Sequence, residues 1–331
     1  MIDWVRHIAG SRSFRVVVVL VTIFAVLYSL PVPSVGEPVE SLALESSKFV
    51  VIEGVKVHYV EVLGSGNLTF VLLHGFGAST FSWRSVVSGL ARYGRVVAFD
   101  RPGFGLTERV DPHSLSFNPY TTEGQVKLTL ELIKKLNTSN VVLVGHSAGG
   151  GLALLTALEN PQLVKALVLV APAWREVRKN PLERVLYSIP LADKYGPLLV
   201  RVLVGQLEQV LYRAWYNKSA LTKEVIEGYK YPLRARDWDK GLYWLTKYRG
   251  FPDISNSLRN LEVPILIVHG ANDELVPLIS SLELVKLLSS NTRYALSVVS
   301  ECGHLPHEEK PWEFLEVVSK FIEDCVFCKS F

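Results

Sequence analysis

Short apolar runs that stop abruptly at a turn residue recur along this chain, and they alternate with segments of helical spacing. Leu68 to His74, Arg95 to Phe99, Val141 to Gly145, Ala166 to Ala171, Pro264 to His269 and Tyr294 to Val299 read as strands. They are apolar almost throughout, without the alternation of a half-exposed strand, so both faces must be covered. Helical spacing fills the intervals: Ser79-Thr80 to about Tyr93, Tyr120 to Leu136, Ser147 to Glu159, Leu278 to Leu288 and Pro311 to Asp324. Strand followed by helix, repeated, specifies an α/β chain with a mostly parallel sheet and helices on both faces. One exception opens the domain: Lys48 to Val62 alternates around Glu53-Gly54 and predicts a β-hairpin.

The alternation stops between Ala173 and Leu258. This stretch reads as helices broken at Pro181, Pro190, Gly196, Pro232 and Gly250, and it is too long for a plain loop. It is expected to form a helical lid over the C-terminal ends of the strands, where open α/β sheets keep their sites. The lid carries Trp174, Trp215, Trp238 and Trp244, which favour an apolar substrate or simply pack onto the core. Its fifteen Lys and Arg outnumber nine Asp and Glu. That balance suits an anionic membrane surface or a solvated helical face.

Ahead of the domain, Val16 to Leu30 contains no charge, with Arg6, Arg12 and Arg15 before it and Glu37, Glu40 and Glu45 after it. A bilayer core needs about 20 apolar residues, so the run just suffices for an anchor. Basic residues stay on the cytoplasmic side, which puts the rest of the chain outside. The rival is a signal peptide cleaved near Ser34-Val35-Gly36, giving a secreted protein. The expected organisation is therefore a basic flank at 1–15, an anchor or signal segment at 16–33 and a linker at 34–47. The core follows at 48–172 and 259–331, with the lid at 173–258. Asn67, Asn137 and Asn217 open glycosylation sequons. Cys302, Cys325 and Cys328 are too few for a disulfide-built fold. Cys325 and Cys328 close a helix rather than open one, which reads as a helix end with a local disulfide if the domain lies outside the cytoplasm. A net charge of +3 gives no case for nucleic-acid binding.

The chemistry centres on Gly145-His146-Ser147-Ala148-Gly149, a G-x-S-x-G between a strand and a helix. Its glycines permit a tight turn that lifts the Ser147 hydroxyl above the sheet. The start of the following helix supplies N–H groups and a positive dipole end for a developing oxyanion. A serine hydroxyl is a poor nucleophile at neutral pH, so it also needs a base and a carboxylate to orient that base.

From about residue 48 to 324 the chain resembles the α/β-hydrolase fold family. The resemblance implies an eight-stranded, mostly parallel sheet, and it assigns roles to three further segments. His74-Gly75-Phe76-Gly77 matches the family's oxyanion loop, so the N–H of Phe76 would act with that of Ala148. Asp100-Arg101-Pro102-Gly103-Phe104-Gly105 is close to the family's D-x-P-G-x-G and is read as a structural turn. The family's chain order of Ser, then acid, then His makes Asp273 the acid and His304 the base, each just past a strand. Glu274 competes with Asp273, and His307 and His146 compete with His304. His74, Gly75, His146 and Trp174 are candidates for the substrate pocket. No metal or cofactor is expected, since HExxH, paired CxxC, P-loop and GxGxxG patterns are all missing from the sequence.

The function expected from these residues is hydrolysis of an ester or related acyl bond in a small apolar substrate through an acyl-serine. A serine nucleophile argues against the family's epoxide hydrolases and dehalogenases, which attack with a carboxylate. Carbon–carbon bond hydrolysis and amidase activity remain alternatives on the same triad. A ligand receptor with little turnover is the alternative from another class.

Overall fold

The computed structural model describes residues 12–327. At its centre is an eight-stranded sheet. Strands β1 (Ser47–Ile52) and β2 (Val55–Val62) form the expected antiparallel hairpin. Its turn residues Glu53 and Gly54 have φ of 51° and 87°, the pair of positive angles that a two-residue hairpin turn requires. Then come β3 (Leu68–Leu73), β4 (Gly94–Phe99), β5 (Val141–His146), β6 (Val164–Val170), β7 (Ile265–Gly270) and β8 (Tyr294–Val299). The order across the sheet is β1-β2-β4-β3-β5-β6-β7-β8. β2 meets β4 antiparallel, and every pairing from β4 to β8 is parallel. The winding reverses at β3, with β4 on one side and β5 on the other. The C-terminal ends of β3 and β5 therefore flank a switch point, the usual place for a site in such a sheet.

The helices are α1 (Arg12–Ser29), α2 (Thr122–Lys135), α3 (Ala148–Glu159), α4 (Pro181–Ser188), α5 (Pro190–Leu203), α6 (Leu207–Ala214), α7 (Lys223–Lys230), α8 (Trp238–Lys247), α9 (Ile279–Leu287) and α10 (Pro311–Phe321). Successive residues of a strand point to opposite faces, and each face has its own apolar layer. Val71, Leu73, Leu143 and Ile265 pack with Leu128 and Leu132 of α2 and Leu152 of α3. Phe70, Leu72, Val142 and Leu266 pack with Trp83 and with Phe314 and Val318 of α10.

Two local expectations fail. Residues 79–93 form short turns at Thr80–Trp83, Val87–Leu90 and Ala91–Tyr93 instead of one helix. Asp100 accepts the Thr80 amide at 2.7 Å, Ser79 accepts that of Phe81, and Trp83 and Val86 are buried, so tertiary contacts override the helical pattern. The expected break at Gly196 is absent, because α5 runs through Gly196 and Pro197. The Tyr243 ring fills the space where a Gly196 side chain would stand, which offsets the glycine's poor helix propensity.

The segment expected to be a linker is a strap across the helices inserted between β6 and β7. The Glu37 amide donates to Arg234 O at 2.8 Å, and the amides of Arg236 and Asp237 donate back to Glu37 O and Val35 O. Gly36 has φ of 89°, and a Cβ there would lie 2.5 Å from Ala235 O, so the approach requires glycine. Val39 and Leu42 are buried with Leu106 and Ala235. The apolar helix α1 ends at Ser29, short of the expected 33, and all of its residues are exposed. It is long and apolar enough to cross a membrane by length and composition. Its C-terminal end meets α5, where Tyr195 Oη donates to Leu27 O and Lys194 Nζ to Tyr28 O. Cys325 is half-buried as a free thiol, and Cys328 lies outside the described residues.

Candidate active site

Ser147 stands between the end of β5 and the start of α3, at φ 52° and ψ −121°. A non-glycine residue is strained there. The backbone is held on both sides: the Ser147 amide donates to Val170 O at 2.9 Å, and its carbonyl accepts from Gly150, Gly151 and Ala173. Close packing dictates the glycine two residues on, since a Cβ at Gly149 would sit 2.1 Å from Leu73 O and 2.6 Å from His74 O. The Ser147 side chain caps nothing at the helix start, so its hydroxyl is left for other use.

Asp273 and His304 reach the same edge of the sheet from the loops after β7 and β8. His304 Nδ1 lies 2.7 Å from Asp273 Oδ2. The other oxygen, Asp273 Oδ1, accepts the amides of Leu275 at 2.8 Å and Val276 at 2.9 Å. Burial works to raise the pKa of this carboxyl. Hydrogen bonds from His269 and His304 and the Val276 amide outweigh burial and hold it well below the usual carboxylate range. The group is therefore an anion at neutral pH and fixes the proton of His304 on Nδ1, which leaves Nε2 free to act as a base. Glu274 is exposed and faces Arg213 at 3.7 Å, away from the pair. Among the described residues no hydrogen bond joins the Ser147 hydroxyl to His304. Such bonds commonly tighten only with substrate in place.

The amides of Phe76 and Ala148 have no hydrogen-bond partner among the described residues, and both residues line a cavity of ≈ 370 Å³. The Phe76 ring is exposed and meets Phe104 edge to face at 5.3 Å. A carbonyl oxygen drawn between two free amides gains most when it becomes negative.

Three of the four expected pocket residues belong to the framework instead. His74 is fully buried: Nδ1 bonds Gly75 O and Nε2 accepts the Arg101 amide at 3.1 Å, and burial pushes its pKa down to about 3. His146 packs behind His304 with ring centroids 4.7 Å apart, and its Nε2 lies 3.0 Å from His304 O. It thus ties the Ser147 turn to the His304 loop. Trp174 is buried and donates Nε1–H to Ser280 O at 3.0 Å. Gly75 lies against His146 and Ser147, where a Cβ would meet His146 Nδ1 at 2.7 Å and the Ser147 Cβ at 3.2 Å. His307 is buried too, with Nε2 2.9 Å from Ser82 Oγ.

Other residues that hold the site carry no local signal. Glu309 accepts the amides of Gly303 at 2.8 Å, Tyr216 at 2.7 Å and Asn217 at 3.2 Å, and so fastens the His304 loop to the lid. The His304 amide donates to Ala214 O at the end of α6. His269 Nε2 lies 3.3 Å from Asp273 Oδ2, and its Nδ1 2.7 Å from Ser281 Oγ. Asp100, in the expected structural turn, is saturated by the amides of Thr80 and Leu106 and by His58 Nδ1 at 2.6 Å.

Comparison with known proteins adds to this geometry. A family model described as alpha/beta hydrolase fold matches residues 69–311. An uncharacterized hydrolase of Bacillus subtilis, YugF, is 30% identical over 276 residues, covering 83% of this chain and 96% of the relative. A 2-hydroxy-6-oxo-6-(2'-aminophenyl)hexa-2,4-dienoic acid hydrolase of Metapseudomonas resinovorans is 28% identical, covering 87% of this chain and 94% of the relative. Among solved structures, a bacterial membrane phospholipase A has the same fold, with a TM-score of 0.66 and 23% identity. That match covers 97% of this chain and 96% of the other.

Proposed function

The chain belongs to the α/β-hydrolase fold family, and on that premise we propose that it is a serine hydrolase in which Ser147 attacks a substrate carbonyl. The observation that carries this reading is the His304–Asp273 pair, held at the same sheet edge as the strained Ser147 turn. In this reading His304 Nε2 takes the Ser147 proton while Oγ bonds the carbonyl carbon. The oxyanion rests on the amides of Phe76 and Ala148. The tetrahedral intermediate collapses to an acyl-serine, and the leaving group departs with the proton from His304. Water then gives its proton to His304, attacks the acyl carbon and releases the acid, and the proton returns to Ser147. Each oxyanion donor lowers such a barrier by about 3–4 kcal/mol.

Two bond classes fit this scheme. An ester or related acyl bond is the first, and it needs nothing beyond the triad and the two amides. Carbon–carbon bond hydrolysis is the second, and the likeness to the dienoic acid hydrolase over most of both chains favours it. A fluorophosphonate probe labelling the native protein but not Ser147→Ala tests the nucleophile. Comparing 4-nitrophenyl esters with a 2-hydroxy-6-oxo-dienoic acid then separates the bond classes. Labelling retained in Ser147→Ala would sink the assignment. Single labelling without turnover of either substrate would favour a receptor.

The same reading sets the protein at a membrane through α1, with the catalytic domain on the non-cytoplasmic side. The inserted helices support the membrane contact, though not the side. Leu182, Val185, Leu186 and Ile189 recur at helical spacing on one exposed face of α4 and its C-terminal flank, as do Leu199, Val202 and Leu203 of α5. Exposed apolar stripes of this kind mark contact surfaces, and α1 docks on the same helix. Signal cleavage after α1 would instead release the domain, and the mass of the mature chain distinguishes the two.

A further inference from the structure

The cleft around the proposed oxyanion donors has two lobes. The edge-to-face pair of Phe76 and Phe104 borders both. One lobe, of ≈ 320 Å³, is walled by Val200, Leu203, Leu207 and Val210 of the lid. The other, of ≈ 370 Å³, is bordered by Phe76, Ala148, Arg101 and Gln125, and beyond them by Arg175 and Arg249. Among the described residues no Asp or Glu lines this second lobe.

Arg101 is its unusual member. It is only 3% exposed, and its Nη1 donates to Gln125 Oε1 at 2.5 Å. Its Nε and Nη2 have no partner among the described residues. The neighbouring Asp100 is turned away, its oxygens taken by His58 and the amides of Thr80 and Leu106. Elsewhere three half-buried arginines pair with carboxylates, Arg84 with Glu308, Arg95 with Glu61 and Arg201 with Asp239, while Arg109 spends both terminal nitrogens on the carbonyls of Thr107 and Gly105. Even Arg175 and Arg249 on the rim meet Glu283 and Glu183. Burial pushes the Arg101 pKa down to about 9, so the group stays a cation at neutral pH. A buried cation with no counter-charge is costly to hold. Nε and Nη2 lie along one edge of the guanidinium, and that edge is the fork that grips a carboxylate with two parallel hydrogen bonds.

We propose that Arg101 is an anion subsite, and that the substrate, an ester or related acyl compound, carries a carboxylate on the acyl side of the scissile bond. Gln125 and the Phe104 ring, 5.0 Å from the guanidinium, hold the fork in place. The apolar remainder of the substrate occupies the lid lobe. This deepens the hydrolase reading and rests on it. It names the substrate class as amphiphilic carboxylic acids bearing a second, cleavable carbonyl group.

The test compares two aryl esters on the full-length protein, matched so that a carboxylate oxygen in one stands where the other has its terminal methyl. One is 4-nitrophenyl hydrogen glutarate, with a terminal carboxylate, and the other is neutral 4-nitrophenyl hexanoate. A charge-assisted pair predicts that kcat/KM favours the glutarate ester by about tenfold or more, mainly through KM. Arg101→Met should reverse that ratio, and Arg101→Lys should retain part of it. A native enzyme that prefers hexanoate, or treats both esters alike, overturns the proposal without recourse to any variant. So does an Arg101→Met variant with the native ratio. If neither ester turns over and Ser147 takes no fluorophosphonate, the hydrolase reading fails separately. Glutarate then decides the subsite: raised thermal stability in the native protein but not in Arg101→Met supports it, and no rise in the native protein overturns it.

Discussion

Replacing Ser147 with glycine should abolish turnover and make the protein more stable. At φ 52° and ψ −121° the Ser147 Cβ crowds its own backbone. Non-glycine residues in such regions cost on the order of 1–3 kcal/mol. Glycine reaches this region without that cost but returns roughly 0.5–1 kcal/mol through its greater freedom in the unfolded chain. Losing the hydroxyl forfeits no helix cap, because the Ser147 side chain makes no capping bond to α3. The difference leaves Ser147→Gly on the order of 1 kcal/mol more stable than the native protein. Ser147→Ala is the control: it keeps the Cβ and its strain, and should stay within about 0.5 kcal/mol of native. At about 2 °C per kcal/mol for a domain of this size, the glycine variant should melt about 2 °C above the alanine variant. Thermal unfolding followed by circular dichroism, with urea denaturation to check that m is unchanged, measures this. A glycine variant that melts with or below the alanine variant would refute the reasoning. The turn would then be held by the Ser147 amide and carbonyl bonds without strain at Cβ.

Three further outcomes are expected. Asp273→Asn should cut kcat/KM about 10³–10⁴-fold, by analogy with the loss of tautomer control in serine proteases, while Glu274→Gln should change it little. Steady-state kinetics on one ester checks both, and comparable losses would mean that the loop rather than the carboxylate matters. Burial works to raise the Asp100 pKa, but His58 and the Leu106 amide outweigh it and bring it from 3.8 down to about 2. Since the folded value is the lower one, this carboxylate contributes stability above about pH 4 that is lost as pH falls through about 2. The contribution is on the order of 2 kcal/mol. Asp100→Asn should therefore flatten the acid limb of the stability curve, and an unchanged limb would sink the account. Finally, a chain lacking residues 1–30 should still float with lipid vesicles through the lid, and Leu186→Asp with Val202→Asp should abolish that flotation without lowering the melting temperature. Loss of concentration-dependent dimers instead would assign the stripe to a second copy.

The alternation of apolar runs and helical spacing was enough to specify the parallel sheet, the hairpin at Glu53-Gly54 and the run of helices inserted after β6. Each is a local pattern repeated often enough that few architectures can bury it. The same holds for the candidate nucleophile, since the Ser147 turn is written in five consecutive residues. Asp273 and His304 were legible because strand ends in a parallel sheet share an edge, so a residue just past a strand has a known address. Side-chain partners had no such address. His74 and Trp174 were expected in the pocket and lie in the framework, because packing decided which way each ring turned. Glu309 binds three amides of the His304 loop and the lid, a role created only when those segments meet. The linker became a strap because Gly36 could approach Ala235, a fit between segments some 200 residues apart. Arg101 shows the division most clearly. Its place after β4 could be read from sequence, but its missing counter-charge exists only in three dimensions, where Asp100 is spent on His58 and backbone amides and two guanidinium nitrogens are left without a partner.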